Sequence, residues 1–143
     1  MKIPDGLTMV QCAAIGTAGF TSMLSLIALE KHGIKPDERE LLVTGAAGGV
    51  GSTSVALFSA RGYRVAASTG RPELASYLHG LGAGSIIPRA ELAQKLPPLA
   101  TQRWAGGVDT VGGQTLASFL AATANYGAVA ATGLVSSAEL PVT

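Results

Sequence analysis

The sequence predicts a doubly wound α/β domain, in which helices cover both faces of a parallel sheet. Short apolar runs alternate with segments whose apolar residues recur at helical spacing along the 143-residue chain. Strands that are separated by helices need crossover connections, which produce parallel pairing. The runs are apolar throughout, as is typical of strands buried on both faces. We expect the strand order 3-2-1-4-5, with a sixth strand truncated.

The first predicted element is a long helix. Phe20, Leu24 and Ile27 recur at helical spacing, and Gly33 supplies the stop. The segment 6–29 carries no charged residue and is long enough to span a bilayer. Because glycine, threonine, serine and glutamine interrupt it, we predict a buried helix of a globular domain and no membrane partner.

Five strands and three further helices follow the first helix. The strands are predicted at 41–44, 64–68, 85–87, 108–111 and 128–132, and the helices at 52–61, 72–82 and around 116–120. The polar stretch 89–105 carries no predicted element. Because the chain starts with a helix and stops after the fifth strand, we expect residues 1–143 to be one domain excised from a larger protein.

Composition excludes several classes of function. Ten Lys and Arg nearly balance nine Asp and Glu, so there is no electrostatic footprint for nucleic acid or anionic lipid. The single cysteine excludes an internal disulfide framework, and with two histidines it leaves too few ligands for a structural zinc site. We therefore expect a reducing, cytoplasmic setting and no metal.

A glycine-rich loop follows the first predicted strand. Gly45, Gly48 and Gly51 have the spacing that lets a chain turn tightly and bring its backbone close to a phosphate group. The N–H groups and the dipole of the following helix then favour the anion. The context of strand, loop and helix favours a dinucleotide site, and a tight turn without a ligand is the alternative.

Two other loop families fit less well. An ATP- or GTP-binding P-loop needs a lysine before the Ser/Thr, and here Gly51 precedes Ser52 directly. The pattern 44–51 also satisfies the short-chain dehydrogenase motif. That family needs a tyrosine with a lysine four residues later, and none of the three tyrosines has one.

The second predicted strand carries the signal for the type of nucleotide. An NAD site has Asp or Glu near the end of this strand, whereas here the chain reads Thr69, Gly70 and Arg71. A threonine hydroxyl and an arginine fork suit a 2′-phosphate, so NADP(H) is favoured over NAD(H). Arg89, just past the third strand, is either a second phosphate or adenine contact or an ordinary surface charge.

Glycines also follow the fourth and fifth strands. Gly112 and Gly133 would let the nicotinamide half approach the backbone, although turn chemistry explains them nearly as well. We expect Asp109 to accept hydrogen bonds from neighbouring backbone amides, and Trp104 to be a packing residue. No catalytic residue is predicted, because no histidine, cysteine or serine lies in a recognisable catalytic pattern.

Four motifs in order resemble one family. The segments 15–21, 43–52, 69–71 and 108–113 are similar to the quinone oxidoreductase branch of the medium-chain dehydrogenase/reductase superfamily, and within it to the acrylyl-CoA reductases, which are zinc-free and NADPH-dependent. The resemblance covers about residues 7–135. It implies a nucleotide-binding Rossmann domain inserted into a catalytic domain, with hydride transfer from NADPH to an activated alkene such as an enoyl-CoA or a quinone-like substrate.

The resemblance also implies site residues and partners. The small-molecule substrate would lie in the cleft between the two domains, and the parent protein would be a homodimer that pairs through the sixth strand absent here. We expect the fragment alone to be inactive; a non-catalytic, redox-sensing NADP-binding module is the alternative. The resemblance implies cofactor contacts at Thr17 on the nicotinamide side, Ala47, Gly48, Gly49 and Val50 at the pyrophosphate, Thr69, Gly70 and Arg71 at the 2′-phosphate, and Gly112, Gly133 and Leu134 at the strand ends. Gly51 of the loop and Arg89 are further predicted cofactor contacts.

Overall fold

A computed structural model describes residues 2–36, 39–97 and 100–142 and confirms the predicted doubly wound fold. All strands pair in parallel in one sheet of order β3-β2-β1-β4-β5. The strands are β1 Leu41–Val43, β2 Val65–Thr69, β3 Ala83–Pro88, β4 Trp104–Asp109 and β5 Thr123–Ala131.

Five α-helices accompany the sheet in the described part of the chain, and several boundaries differ from the prediction; β5, for example, begins at Thr123 rather than at Ala128. A four-residue helix follows β3 where no element was expected, and β4 begins at Trp104 rather than at Val108. The helices are α1 Met9–His32, α2 Gly49–Ala60, α3 Ala75–Gly80 with a 3₁₀ turn Pro72–Leu74 before it, α4 Arg89–Leu92 and α5 Gly113–Ala121. Residues 98 and 99 of the stretch predicted to be irregular lie outside the described residues.

The two faces of the sheet carry separate cores. Leu41 and Val43 pack with Phe58 of α2, whereas Leu42 between them packs with Trp104 and Phe119 on the opposite face. This alternation follows from the two-residue period of a strand. The fully buried β1 is therefore covered by helices on both sides, and Trp104 is a packing residue, as predicted.

Local signals set the ends of α1 and divide it. Thr8 and Gln11 form a reciprocal capping box at its start, and Gly33 ends it in the left-handed conformation at φ 106°. Gly16, at φ 42° and ψ −149°, interrupts the helical backbone. The helix therefore consists of a short first segment and a longer second segment that begins at Thr17.

The predicted buried face of α1 is wrong. Phe20 is 65% exposed and Leu24 is 51% exposed. The residues that face the domain are mostly small: Gly19, Ser22, Ser25, Leu26 and Leu29. Small side chains bring α1 close to α2, where the Ser22 hydroxyl donates to the carbonyl of Val50 at 3.0 Å. Large apolar residues are consequently left on the outer face.

Helix α1 is long and apolar, yet most of it is not buried inside the domain. The helix is long and apolar enough to cross a membrane by length and composition, and only 28% of its most apolar window is buried inside the domain. The expectation of a buried helix is therefore corrected to a helix with one buried face. The absence of a membrane partner stays a prediction.

Candidate cofactor-binding site

A cleft of about 320 Å³ opens at the carboxyl ends of the strands, where open α/β sheets bind their ligands. Residues that follow β1, β2, β3 and β4 all contribute to it. It is lined by Gly45, Ala47, Gly48, Ser68, Thr69, Gly70, Arg71, Arg89, Thr110, Val111, Thr115 and Val135. A larger cavity of about 540 Å³ lies at the opposite edge, between the end of α1 and Tyr126, and contains none of the predicted site residues.

The glycine loop forms one wall of this cleft. Gly45 leaves β1 in the left-handed conformation at φ 58°, and its carbonyl accepts the N–H of Gly48 at 2.9 Å. Helix α2 starts at the next residue, and a Cβ built on Gly51 would lie only 2.2 Å from the Gly45 carbonyl oxygen. The loop can therefore fold back onto its helix only with glycine at 51, which explains the spacing seen in the sequence.

Contacts with α1 hold the start of α2 in place. Ser54 donates to Ser22 at 3.0 Å, and Ser22 in turn donates to the carbonyl of Val50. Both serines are fully buried. The backbone N–H groups of the first turn of α2 point along the helix axis towards its N-terminal end at the cleft edge, and no acidic residue in that turn opposes an anion.

Two arginines flank the end of β2. The Arg71 guanidinium donates from Nη2 to the carbonyl of Ala47 at 3.2 Å, and its backbone N–H donates to the Thr69 hydroxyl at 3.0 Å. Arg89 lies across Gly70, where an added Cβ would come within 3.2 Å of the arginine Cδ. Neither arginine pairs with a carboxylate in the described part of the chain. This corner of the cleft is therefore positive and rich in donors.

The end of β4 is organised by a buried carboxylate. Asp109 accepts from the N–H of Gly112 at 2.7 Å and from the Thr44 hydroxyl at 2.5 Å. The expectation that this residue binds neighbouring backbone amides is confirmed. Among the described residues, no three His, Cys, Asp or Glu side chains are grouped so as to hold a metal ion.

The segment after β5 folds back over the β4–α5 turn. Ser136 donates its N–H to the carbonyl of Val111 at 2.8 Å, and Ser137 pairs with Gly112. Gly133 lies against Thr110, the residue that follows β4, because an added Cβ would be 2.3 Å from the Thr110 carbonyl oxygen. Gly112 and Gly133 thus allow two segments of the chain to pack closely. This packing explains the two glycines independently of the predicted approach of a ligand.

Six of the predicted contacts line the cleft together, and seven do not. The six are Ala47, Gly48, Thr69, Gly70, Arg71 and Arg89. Gly49, Val50 and Gly51 form the first turn of α2 beside it. Thr17 is exposed on α1, and Leu134 is 65% exposed, so that its neighbour Val135 lines the cleft instead.

Six lining residues lay outside the predicted contacts. Those at or just past the carboxyl end of a strand had a usable signal in the sequence, because ligands bind at the carboxyl ends of parallel strands. These are Gly45, Ser68, Thr110 and Val111. Thr115 in α5 and Val135 reach the cleft only through tertiary packing, and no local pattern marks them.

Several known proteins are similar to this chain in sequence and in fold. No model of a protein family matches the chain. Acrylyl-CoA reductase AcuI of Ruegeria pomeroyi is 51% identical over all of this chain, which spans 44% of that protein. The yhdH oxidoreductase of Salmonella enterica, crystallised with NADP, is 49% identical and superposes with a TM-score of 0.95. Protein yhfP of Bacillus subtilis, crystallised with NAD, is 44% identical with a TM-score of 0.95.

Both structures are matched over the whole of this chain and over 44% of their own length. The chain therefore spans less than half the length of the relatives it matches. A quinone oxidoreductase of Coxiella burnetii is 25% identical with a TM-score of 0.72 over 90% of the chain and 38% of that protein. Over its whole length the chain is therefore similar in sequence and in fold to acrylyl-CoA reductase and quinone oxidoreductase relatives, in agreement with the resemblance that the four motifs indicate.

Proposed function

We propose that this chain binds NADP(H) and serves an oxidoreductase that transfers hydride to an activated alkene, such as an acrylyl- or enoyl-CoA, or to a quinone. The observation that carries the proposal is the positive corner formed by Thr69, Arg71 and Arg89 beside the glycine loop. A carboxylate at the end of β2 would repel a 2′-phosphate, and none lines this cleft in the described residues.

The cleft has groups for each part of the cofactor. In this proposal the amides of the first turn of α2 bind the pyrophosphate, with the helix dipole favouring the negative charge. The two guanidinium groups bind the 2′-phosphate with charge-assisted hydrogen bonds. Val111 and Val135 supply an apolar wall for the adenine ring. The bound cofactor supplies the hydride, whereas this chain contributes binding and orientation.

We further propose that residues 1–143 act as the nucleotide-binding domain of a longer, two-domain protein. The chain spans 44% of the relatives, and the outer face of α1 exposes Phe20, Leu24 and Ile27. An exposed apolar stripe of this kind suits coverage by another domain. A small-molecule substrate would then bind between the two domains. Family resemblance alone supports a homodimeric, cytoplasmic parent.

A non-catalytic, redox-sensing module is the second candidate. It is supported by the cleft lining, which includes no histidine, cysteine, tyrosine, lysine or carboxylate among the described residues. The two candidates differ in the parent protein, where the oxidoreductase consumes NADPH in the presence of an enoyl-CoA or a quinone. Cofactor binding without turnover on any of these acceptors would favour the sensor.

Parallel calorimetric titrations of the 143-residue chain with NADPH and NADH test the binding step. We expect NADPH to bind at least about tenfold more tightly, because each charge-assisted hydrogen bond contributes about 1.5–3 kcal/mol. Equal affinities would contradict the assignment of Arg71 and Arg89 to the 2′-phosphate. Absence of binding by either nucleotide would contradict the proposal for this chain.

A further inference from the structure

One fully buried carboxylate joins three strands at the cofactor edge of the sheet. The Asp109 side chain accepts from the hydroxyl of Thr44, which follows β1, and from the amide of Gly112, which begins the turn into α5. Its backbone carbonyl accepts from the N–H of Thr132 at 2.8 Å and from the Thr132 hydroxyl at 3.0 Å. The end of β5 is therefore attached to the same residue.

Thr44 carries this arrangement into the glycine loop. Its hydroxyl accepts the N–H of Thr110 at 3.1 Å while donating to Asp109, and its carbonyl accepts the Thr110 hydroxyl at 3.0 Å. Gly45 comes next, and a Cβ built there would lie 2.1 Å from the Thr110 hydroxyl oxygen. The first residue of the loop is thus pressed against the end of β4.

The residues of this hydrogen-bond network around Asp109 and Thr44 border both walls of the cleft. Gly45 opens the wall formed by the glycine loop, and Thr110 and Val111 belong to the wall formed by the β4–α5 turn. Asp109 lies between these walls, has no exposed surface and pairs with no cation in the described part of the chain. Because burying an unpaired charge is costly, its hydrogen bonds must compensate, and they do so by fixing the two walls.

We propose that Asp109 is a positioning residue for the cofactor, which sets the separation of the glycine loop from the β4–α5 turn through Thr44 and Gly112. This inference rests on the proposed binding of NADP(H) in the cleft. Asp109 itself is enclosed and does not reach the cleft surface, so it acts through these neighbours. A purely stabilising role would lower the melting temperature without a specific loss of cofactor affinity.

The variant Asp109→Asn separates geometry from charge. Asparagine keeps the shape, but one of its terminal atoms is a donor, which must face either the Gly112 amide or the Thr44 hydroxyl in place of an acceptor. Removal of a negative charge beside a site for a polyanion favours binding by Coulomb attraction. A weaker affinity in this variant therefore has a geometric cause, because the electrostatic change has the opposite sign.

Calorimetry of the 143-residue chain with NADPH is the first measurement. We expect the Kd to rise about tenfold or more in Thr44→Val, which loses the hydroxyl, and in Asp109→Asn, whose Nδ2 must either oppose the Gly112 N–H or reverse the bond with the Thr44 hydroxyl. Thr44→Ser retains the hydroxyl and should keep most of the affinity. Leu78→Ala removes a fully buried side chain of α3 outside the cleft lining, and should lower the melting temperature while leaving the Kd within about twofold.

Hydrogen exchange of the cofactor-free chain is the second measurement. We expect faster exchange of the Gly112 amide and of the amides of residues 44–48 in Asp109→Asn and Thr44→Val than in Leu78→Ala. Unchanged NADPH affinity in both network variants would overturn the inference, and so would unchanged loop exchange. Failure of the wild-type chain to bind NADPH would refute the proposed function instead, and the exchange rates would then decide whether Asp109 positions the loop.

Discussion

Removal of the Arg71 side chain should weaken NADPH far more than NADH. One of the five N–H groups of this guanidinium donates to the Ala47 carbonyl, which leaves four for a 2′-phosphate. A hydrogen bond to a charged group contributes about 1.5–3 kcal/mol, and the exposure of Arg71 places the expected loss near the lower end. Arg71→Ala should therefore raise the Kd for NADPH roughly 10- to 30-fold.

The Kd for NADH should rise less than about threefold. NADH has a hydroxyl in place of the 2′-phosphate, so the variant removes for it only the bond by which Arg71 holds the Ala47 carbonyl of the loop. Arg61→Ala is the matched control, since it removes the same charge at the far end of α2, where Arg61 pairs with Glu30 at 2.9 Å. Calorimetric titrations with both nucleotides at two salt concentrations provide the comparison. Equal losses for NADPH and NADH, or an equal effect of the control, would refute the reasoning.

Two further substitutions test the fold by thermal unfolding. Gly51→Ala should lower the melting temperature, because the added Cβ would collide with the Gly45 carbonyl oxygen, even though alanine normally favours a helix over glycine. Gly80→Ala is the control: its added Cβ meets no atom within 4 Å, so this variant should be neutral or stabilising. Equal behaviour of the two alanine variants would contradict the close approach of loop and helix. Tyr126→Asn should raise the free energy of unfolding by about 0.5–1 kcal/mol, because Tyr126 is 95% exposed and holds φ at 64°, which asparagine adopts more readily. A fall in stability would show that the tyrosine ring makes a contribution of its own.

The sequence predicted the fold better than the boundaries of its elements. The strand count and the loop between β1 and α2 follow from local patterns, whereas the strand order follows from the fold class, and the structure confirms all three in the described residues. The start of β4 was placed too late, because Trp104 and the glycines after it lack the continuous apolar run of a typical strand. Helix α4 was missed because it has only four residues. Segments this short provide no periodicity to detect.

Hydropathy misassigned the faces of α1 for a physical reason. Phe20 and Leu24 are the apolar residues that a helical stripe marks as core, yet close packing of α1 on α2 requires small residues such as Gly19 and Ser22. Interhelical distance is a property of the packed pair and leaves no mark in the hydropathy of one helix. Prediction of the buried face therefore needs the partner helix.

The sequence by itself determined the fold class, the phosphate-loop pattern and the lack of a carboxylate at residues 69–71, where β2 ends, because each is read over a few neighbouring residues. Only the tertiary structure decided that Arg89 and Arg71 share one corner, that Val135 rather than Leu134 lines the cleft, and that Asp109 bonds to Thr44 across 65 residues of chain. These contacts join strand ends that are distant in sequence. The parallel sheet brings the ends together, and hydrogen bonds between them then set the shape of the cleft.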